Sequence, residues 1–102
     1  MSNIGPHLLT SFQAEQLLHL ILSEGTLEIS THCRQRMKWR GVDSEDLIHL
    51  LMTVRVHRLA EWDSVHRNWK YRVEGSDIDG DELKAITVIF EDDLLLLVVT
   101  VF

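Results

Sequence analysis

The hydrophobic period of this chain changes once, and the change falls at Val54. Before it, apolar residues recur every three to four positions, the spacing of one helix face. After it they recur at every second position, the spacing of one strand face. Helices first and strands after point to an α+β fold rather than to alternating α/β units. A chain of 102 residues supports one domain, 1–102, around one modest core.

The helical half divides into three. Thr10 with Gln13 matches a capping box, and Ala14, Leu17, Leu18, Ile21 and Leu22 repeat at helical spacing, with Gly25 placed to end this helix in a left-handed conformation. "TLEIS" reads as an extended link. Ser30 or Thr31 caps a second helix, roughly Thr31 to Arg40, with Cys33 and Met37 as its narrow apolar stripe and Gly41 as its stop. Asp43 or Ser44 caps a third, whose buried stripe is Leu47, Leu50, Leu51 and Val54. "RVHRLAEW" is expected as a strand, as are "NWKYRVEG", "LKAITVIFE" and "LLLLVVTVF"; Asp79-Gly80 signals a hairpin between the second and third. The last strand is apolar on both faces, which suits a central or covered position. The expected architecture is three helices on one face of a four-stranded antiparallel sheet. Lys70 and Arg72 lie on the other face if Trp69 and Tyr71 face the core.

Composition excludes some classes. No stretch approaches the roughly 18 apolar residues of a membrane helix, and the N-terminus lacks the basic and small-residue pattern of a signal peptide. The single cysteine excludes an internal disulfide. Together these lead us to expect a soluble, cytoplasmic protein with no membrane partner. A net charge of −6 argues against a general nucleic-acid binder. Yet seven of the ten Lys/Arg residues fall between Arg34 and Arg67, while the stretch after Glu74 holds only Lys84 against seven acids. A local field of this kind can serve a single phosphate.

The concentration is greatest in "ISTHCRQRMKWRG". His32, Arg36 and Arg40 lie four residues apart and share one helix face. Histidine moves protons near neutral pH, and arginine fits phosphate as a planar fork, so the stripe suits phosphodiester cleavage. The same residues also suit a solvated face with arginine stems packed over apolar neighbours. His32-Cys33, His49, His57 and His66 lack the ligand spacing of a structural zinc site. "DIDGDE" has its glycine two places too early for a calcium loop and reads as a turn. Among the aromatics Trp69 and Tyr71 suit the core, while Trp62, in "EWDSVHRN", suits a contact surface. Cys33 sits near a helix start but shares Met37's stripe, which suits a buried, inert thiol better than a nucleophile.

"ISTHCRQRMKWRGVDSEDL", "WKYRVEG" and the terminal "LLLVVTVF" together resemble a bacterial family of unknown function. Its members read as Ser, one residue, His, then Arg-Met and Arg-Gly, a short helix, a Tyr-Arg-Val strand and a final Val-Thr strand. Ser30, His32, Arg36, Met37, Arg40, Gly41, Tyr71, Arg72, Val73 and Thr100 match that pattern. The family looks like a relative of RelE-type toxins, small RNases built as helices on an antiparallel sheet. That resemblance implies a RelE-like fold and a metal-independent endoribonuclease of toxin–antitoxin type, needing no cofactor. It implies His32 as general acid or base, Arg36 and Arg40 as phosphate neutralisers, and Arg72 and Thr100 as contacts to RNA or the leaving group. Lys70 and Trp62 are added as RNA-binding candidates. The expected partners are RNA and an antitoxin protein, with a second copy of the chain through the sheet edge as a weaker candidate. The alternative is a non-catalytic protein- or nucleic-acid-binding module with the same fold, in which Asp43, Glu45 or Asp46 neutralises the basic helix.

Overall fold

Thr10 opens the first helix as its spacing predicts. Its side chain accepts from Gln13 N (3.1 Å), and Gln13 Oε1 accepts from Thr10 N (3.0 Å). In the computed structural model, which describes residues 6–56 and 60–102, helix α1 runs Ser11–Glu24 and buries Ala14, Leu18 and Ile21. Helix α2 is Thr31–Arg40, and helix α3 is Ser44–Met52, capped reciprocally by Asp43 and Asp46. The strands are β1 Thr26–Ile29, β2 Arg55–Val56, β3 Glu61–Asp63, β4 Asn68–Ser76, β5 Glu82–Phe90 and β6 Leu95–Val101.

The α+β class holds, but the sheet differs from the expected four antiparallel strands. It has six strands in the order β1-β6-β5-β4-β2, with β3 also on β4, and it is mixed because β1 runs parallel to β6. "TLEIS" is therefore largely a strand and not a link. Four residues give too short a period to read, and a parallel partner far along the chain leaves no turn signal. The expected strand over Arg55–Trp62 is in two pieces. Between Val56 and Glu61 lie four residues, but between their partners Val73 and Lys70 only two, so the pairing cannot be continuous. Residues 57–59, His57 among them, lie outside the described residues. Glu15 of α1 accepts from Val56 N at 2.7 Å. This caps one donor on the strand's outer edge.

Gly25 does not adopt the expected left-handed conformation. Its φ and ψ are −110° and −152°, which is extended backbone. Its need for glycine is steric: an added Cβ would stand 2.1 Å from Leu94 O, where the chain starts along β6. Gly41 does take the left-handed form, φ 66°, with Val42 N donating to Met37 O (2.8 Å) in a Schellman closure.

One core joins the helices to one face of the sheet: Leu18, Ile21, Cys33, Met37, Leu47, Leu50 and Leu51 meet Tyr71, Val73, Leu83, Ala85, Leu96 and Val98. β6 sits between β1 and β5, the central position its apolar run suits, and it buries Leu96, Val98 and Val101 on the helix face. No helix among the described residues is long and apolar enough to cross a membrane.

Candidate functional site: the cationic helix beside strand β6

Helix α2 is held where β1 ends. Ser30 is its cap: the hydroxyl accepts from Cys33 N (2.9 Å) and donates to Val99 O (2.7 Å), and Ser30 N donates to Val98 O (3.0 Å). These bonds fix the first turn, and His32 with it, against β6. Cys33 and Met37 then turn into the core, which leaves the rest of the helix to solvent. Burial pushes the Cys33 thiol up to about 11, with Arg34 opposing weakly. A thiol so raised is neutral and unreactive at neutral pH.

The two flanks of that core stripe differ. Arg34 and Lys38 on one side are exposed. On the other, His32 and Arg40 are exposed but Arg36 is half-buried, and its Nε is shielded from water with no hydrogen-bond partner among the described residues. Buried donors are almost always paired, so an orphan of this kind calls for an explanation. The ion pairs among the described residues are His7–Glu91, His66–Asp63 and Arg72–Glu74, and none involves α2. Asp43 and Asp46, expected as neutralisers, bond to each other's backbone instead. Asp46 also accepts from Ile78 N (3.2 Å), the leading cause of its lowered pKa.

Strand register places the other expected residues. Arg72 pairs with Ile86 and Ile86 with Thr100, so all three share the sheet face away from the helices, together with Lys70. Two strand spacings put Arg72 and Thr100 about 10 Å apart at the backbone. Arg72 is already engaged. Its guanidinium lies 4.9 Å from the Phe102 ring centre, and Glu74 Oε2 is 3.4 Å from its Nε, close enough for an ion pair but not aligned for a hydrogen bond. Lys70 lies opposite Glu61 across the β3–β4 pairing. Thr100 Oγ1 makes one long bond, to Val101 O at 3.4 Å.

The structure therefore gathers His32, Arg36 and Arg40 on one helix flank next to β6, and Lys70, Arg72 and Thr100 on one sheet face. Trp62 joins neither group. It pairs with Trp69, so it stands on the opposite face from Lys70, with the two indole rings edge-on at 5.3 Å and 77°. A cleft of about 530 Å³ lies elsewhere, among Pro6, His7, Tyr71, Phe90, Glu91 and Asp93, and no expected site residue lines it. Burial raises the Tyr71 phenol there, although the bond from Leu9 N (2.9 Å) opposes that shift.

One arrangement went unread in the sequence. Asp63 Oδ2 accepts from His66 Nδ1 at 2.7 Å, while its Oδ1 accepts from Val65 N (2.9 Å) and His66 N (3.3 Å). The His66 side-chain bond is the first cause holding the Asp63 carboxyl below its usual range. Its signal was local: Asp, two residues, His between two strand segments. Among the described residues no three His, Cys, Asp or Glu side chains converge as metal ligands.

No curated protein and no solved structure gives a match to this chain. A family model does, and it spans α2, α3 and the whole of β2–β6. The match carries no link to RelE-type toxins. Over residues 29–102 the chain belongs to the family described as Domain of unknown function (DUF4258).

Proposed function

We propose that the chain is a metal-independent endoribonuclease of toxin–antitoxin type, with the α2 flank as its phosphate site. The observation that carries this reading is the uncompensated charge of α2. The helix holds four Lys/Arg residues, one histidine and no acid, and it has no ion pair among the described residues. Arg36–Arg40 and Arg34–Lys38 are like charges four apart, each costing the helix about 0.2–0.5 kcal/mol. A helix charged against its own stability suits a site that waits for an anion. Lys38 and Arg40 in the last turn recover part of that through the helix dipole, but His32, Arg34 and Arg36 do not.

In the proposed reaction the ribose 2′-hydroxyl attacks the adjacent phosphorus and the bond to the 5′-oxygen breaks. One proton leaves the 2′-oxygen and one reaches the 5′-oxygen, giving a cyclic phosphate and a free 5′-hydroxyl. Such a step needs proton transfer and charge stabilisation. His32 is the proton carrier. Arg36 and Arg40 bind the phosphoryl oxygens, while Arg72 and Thr100, on the sheet face away from the helices, serve as contacts to RNA beyond that phosphate. An antitoxin, in this reading, covers the same flank.

The second reading is a non-catalytic protein- or nucleic-acid-binding module. Arg72 favours it, because Glu74 and Phe102 already occupy that guanidinium. The test is incubation of total RNA and tRNA with purified protein in EDTA, beside His32→Ala. Cyclic-phosphate ends produced by the wild type alone support the enzyme. Intact RNA at high protein concentration supports the binding module, and equal cleavage by both proteins removes His32 from the chemistry.

A further inference from the structure

Of the chain's three tryptophans, two are engaged with each other. Trp62 and Trp69 form an edge-on pair, and Trp69 Nε1 also donates to Pro6 O at 3.3 Å. Trp39 is 76% exposed, far more than Trp62 at 48%, and it has no aromatic or cation–π partner among the described residues. Leaving so large an apolar ring in water forgoes the burial that makes tryptophan useful to a small domain.

Its position on the helix is informative. At 3.6 residues per turn, Arg40, Arg36, His32 and Trp39 fall in that order around one arc of roughly 100°. This is the flank opposite Arg34 and Lys38. Trp39 follows Arg36 by three residues, which places their Cβ atoms about 5–6 Å apart. One nucleotide can span that separation, with its phosphate on Arg36 and its base on the indole. From these placements we infer that Trp39 is a stacking platform for an unpaired base, so that the α2 flank takes single-stranded RNA. This rests on the RNA reading above and narrows its substrate class. Bases inside an A-form duplex present no free face, whereas unstacked bases do, and aromatic stacking tolerates any base. The charge of α2 favours a polyanion over an apolar protein surface as the occupant of the ring.

The test uses a short labelled 2′-O-methyl oligoribonucleotide, which lacks the attacking hydroxyl and cannot be cut. It is measured single-stranded and annealed to its complement, against wild type, Trp39→Ala, Trp39→Phe and the double variant R36Q/R40Q. Trp39 is exposed, so its variants should keep the wild-type circular dichroism spectrum. We expect Trp39→Ala to lose about 5- to 150-fold in single-strand affinity, with Trp39→Phe close to wild type. The duplex should bind weakly and without regard to Trp39. Wild-type affinity in Trp39→Ala, beside a loss in R36Q/R40Q, overturns the stacking platform and leaves the phosphate site standing. An equal loss for duplex and single strand also overturns it. If the wild type binds neither form, the RNA reading and this inference fall together. If stacking is confirmed but the wild type cuts no RNA in the cleavage assay, the single-strand inference stands and the enzyme reading fails.

Discussion

Replacing Arg36 with methionine should make the protein more stable and less able to hold RNA. Arg36 Nε is shielded from water and unpaired among the described residues, while the side chain as a whole is half-buried. An orphaned donor costs about 1–3 kcal/mol; the distal guanidinium nitrogens can still reach solvent, so the lower end applies. Removing the like charge four residues before Arg40 returns about 0.2–0.5 kcal/mol more. Methionine keeps an unbranched stem over the same apolar path, and its helix propensity is close to that of arginine. The expected gain is about 1.2–1.5 kcal/mol, a rise of about 5–12 °C in Tm for a domain of this size. It is read by thermal and urea unfolding. The same variant should lose single-strand RNA affinity, because a charge-assisted phosphate contact is worth about 1.5–3 kcal/mol. Arg72→Met is the control: its Nε is likewise buried without a hydrogen bond, but removing that guanidinium leaves the half-buried Glu74 without its ion-pair partner, which offsets the gain, so no stabilisation is expected. A loss of 1 kcal/mol or more in Arg36→Met would refute the reasoning, by showing that the guanidinium is well bonded in the folded state.

Gly25→Ala drives a Cβ to 2.1 Å from the Leu94 carbonyl, so backbone must move and β1 must shift from β6. A loss of at least about 2 kcal/mol is expected in urea unfolding, and wild-type stability would show that the β1–β6 contact is not tight. For Asp63, whose folded pKa is depressed, the stabilisation is complete above the ordinary carboxylate value of about 3.9. It fades as pH falls through the lower folded value. Asp63→Asn should therefore be less stable than wild type near neutrality and flatter in its acid limb; parallel pH profiles for the two proteins would remove Asp63 as a contributor. Cys33, buried and raised to about 11, should stay unmodified by a thiol reagent in the folded protein and react stoichiometrically in denaturant. Rapid labelling of folded protein would contradict its burial.

The helices were legible because each carries its own local signals. Thr10–Gln13 and Asp43–Asp46 are reciprocal caps, Gly41 is a left-handed stop, and the buried stripes of α1 and α3 repeat at helical period. The hairpin at Asp79-Gly80 was legible for the same reason, Gly80 having φ 89°. What was missed depends on partners distant in sequence. β1 is a strand only because β6 offers its edge, and Gly25 is a glycine because of Leu94, not because of the helix it follows. For the candidate site, helical spacing found the His32–Arg36–Arg40 stripe, and alternation put Lys70 and Arg72 on the face opposite Trp69 and Tyr71. Spacing could not reveal that Glu74 and Phe102 engage Arg72, nor that Trp62 is held by Trp69 while Trp39 has no aromatic partner among the described residues. Those outcomes follow from cross-strand register and exposure.

The central claim is that the α2 flank binds RNA phosphate through Arg36 and Arg40. The most direct measurement is the NMR spectrum of the arginine side-chain Nε–Hε groups in isotopically labelled protein, titrated with the uncleavable single strand. Saturable shifts largest at Arg36 and Arg40, with smaller ones at Arg72 and with Trp39 Nε1 moving along the same titration, are the predicted result. Shifts centred on Arg72, or an unchanged spectrum at high RNA concentration, would contradict the account.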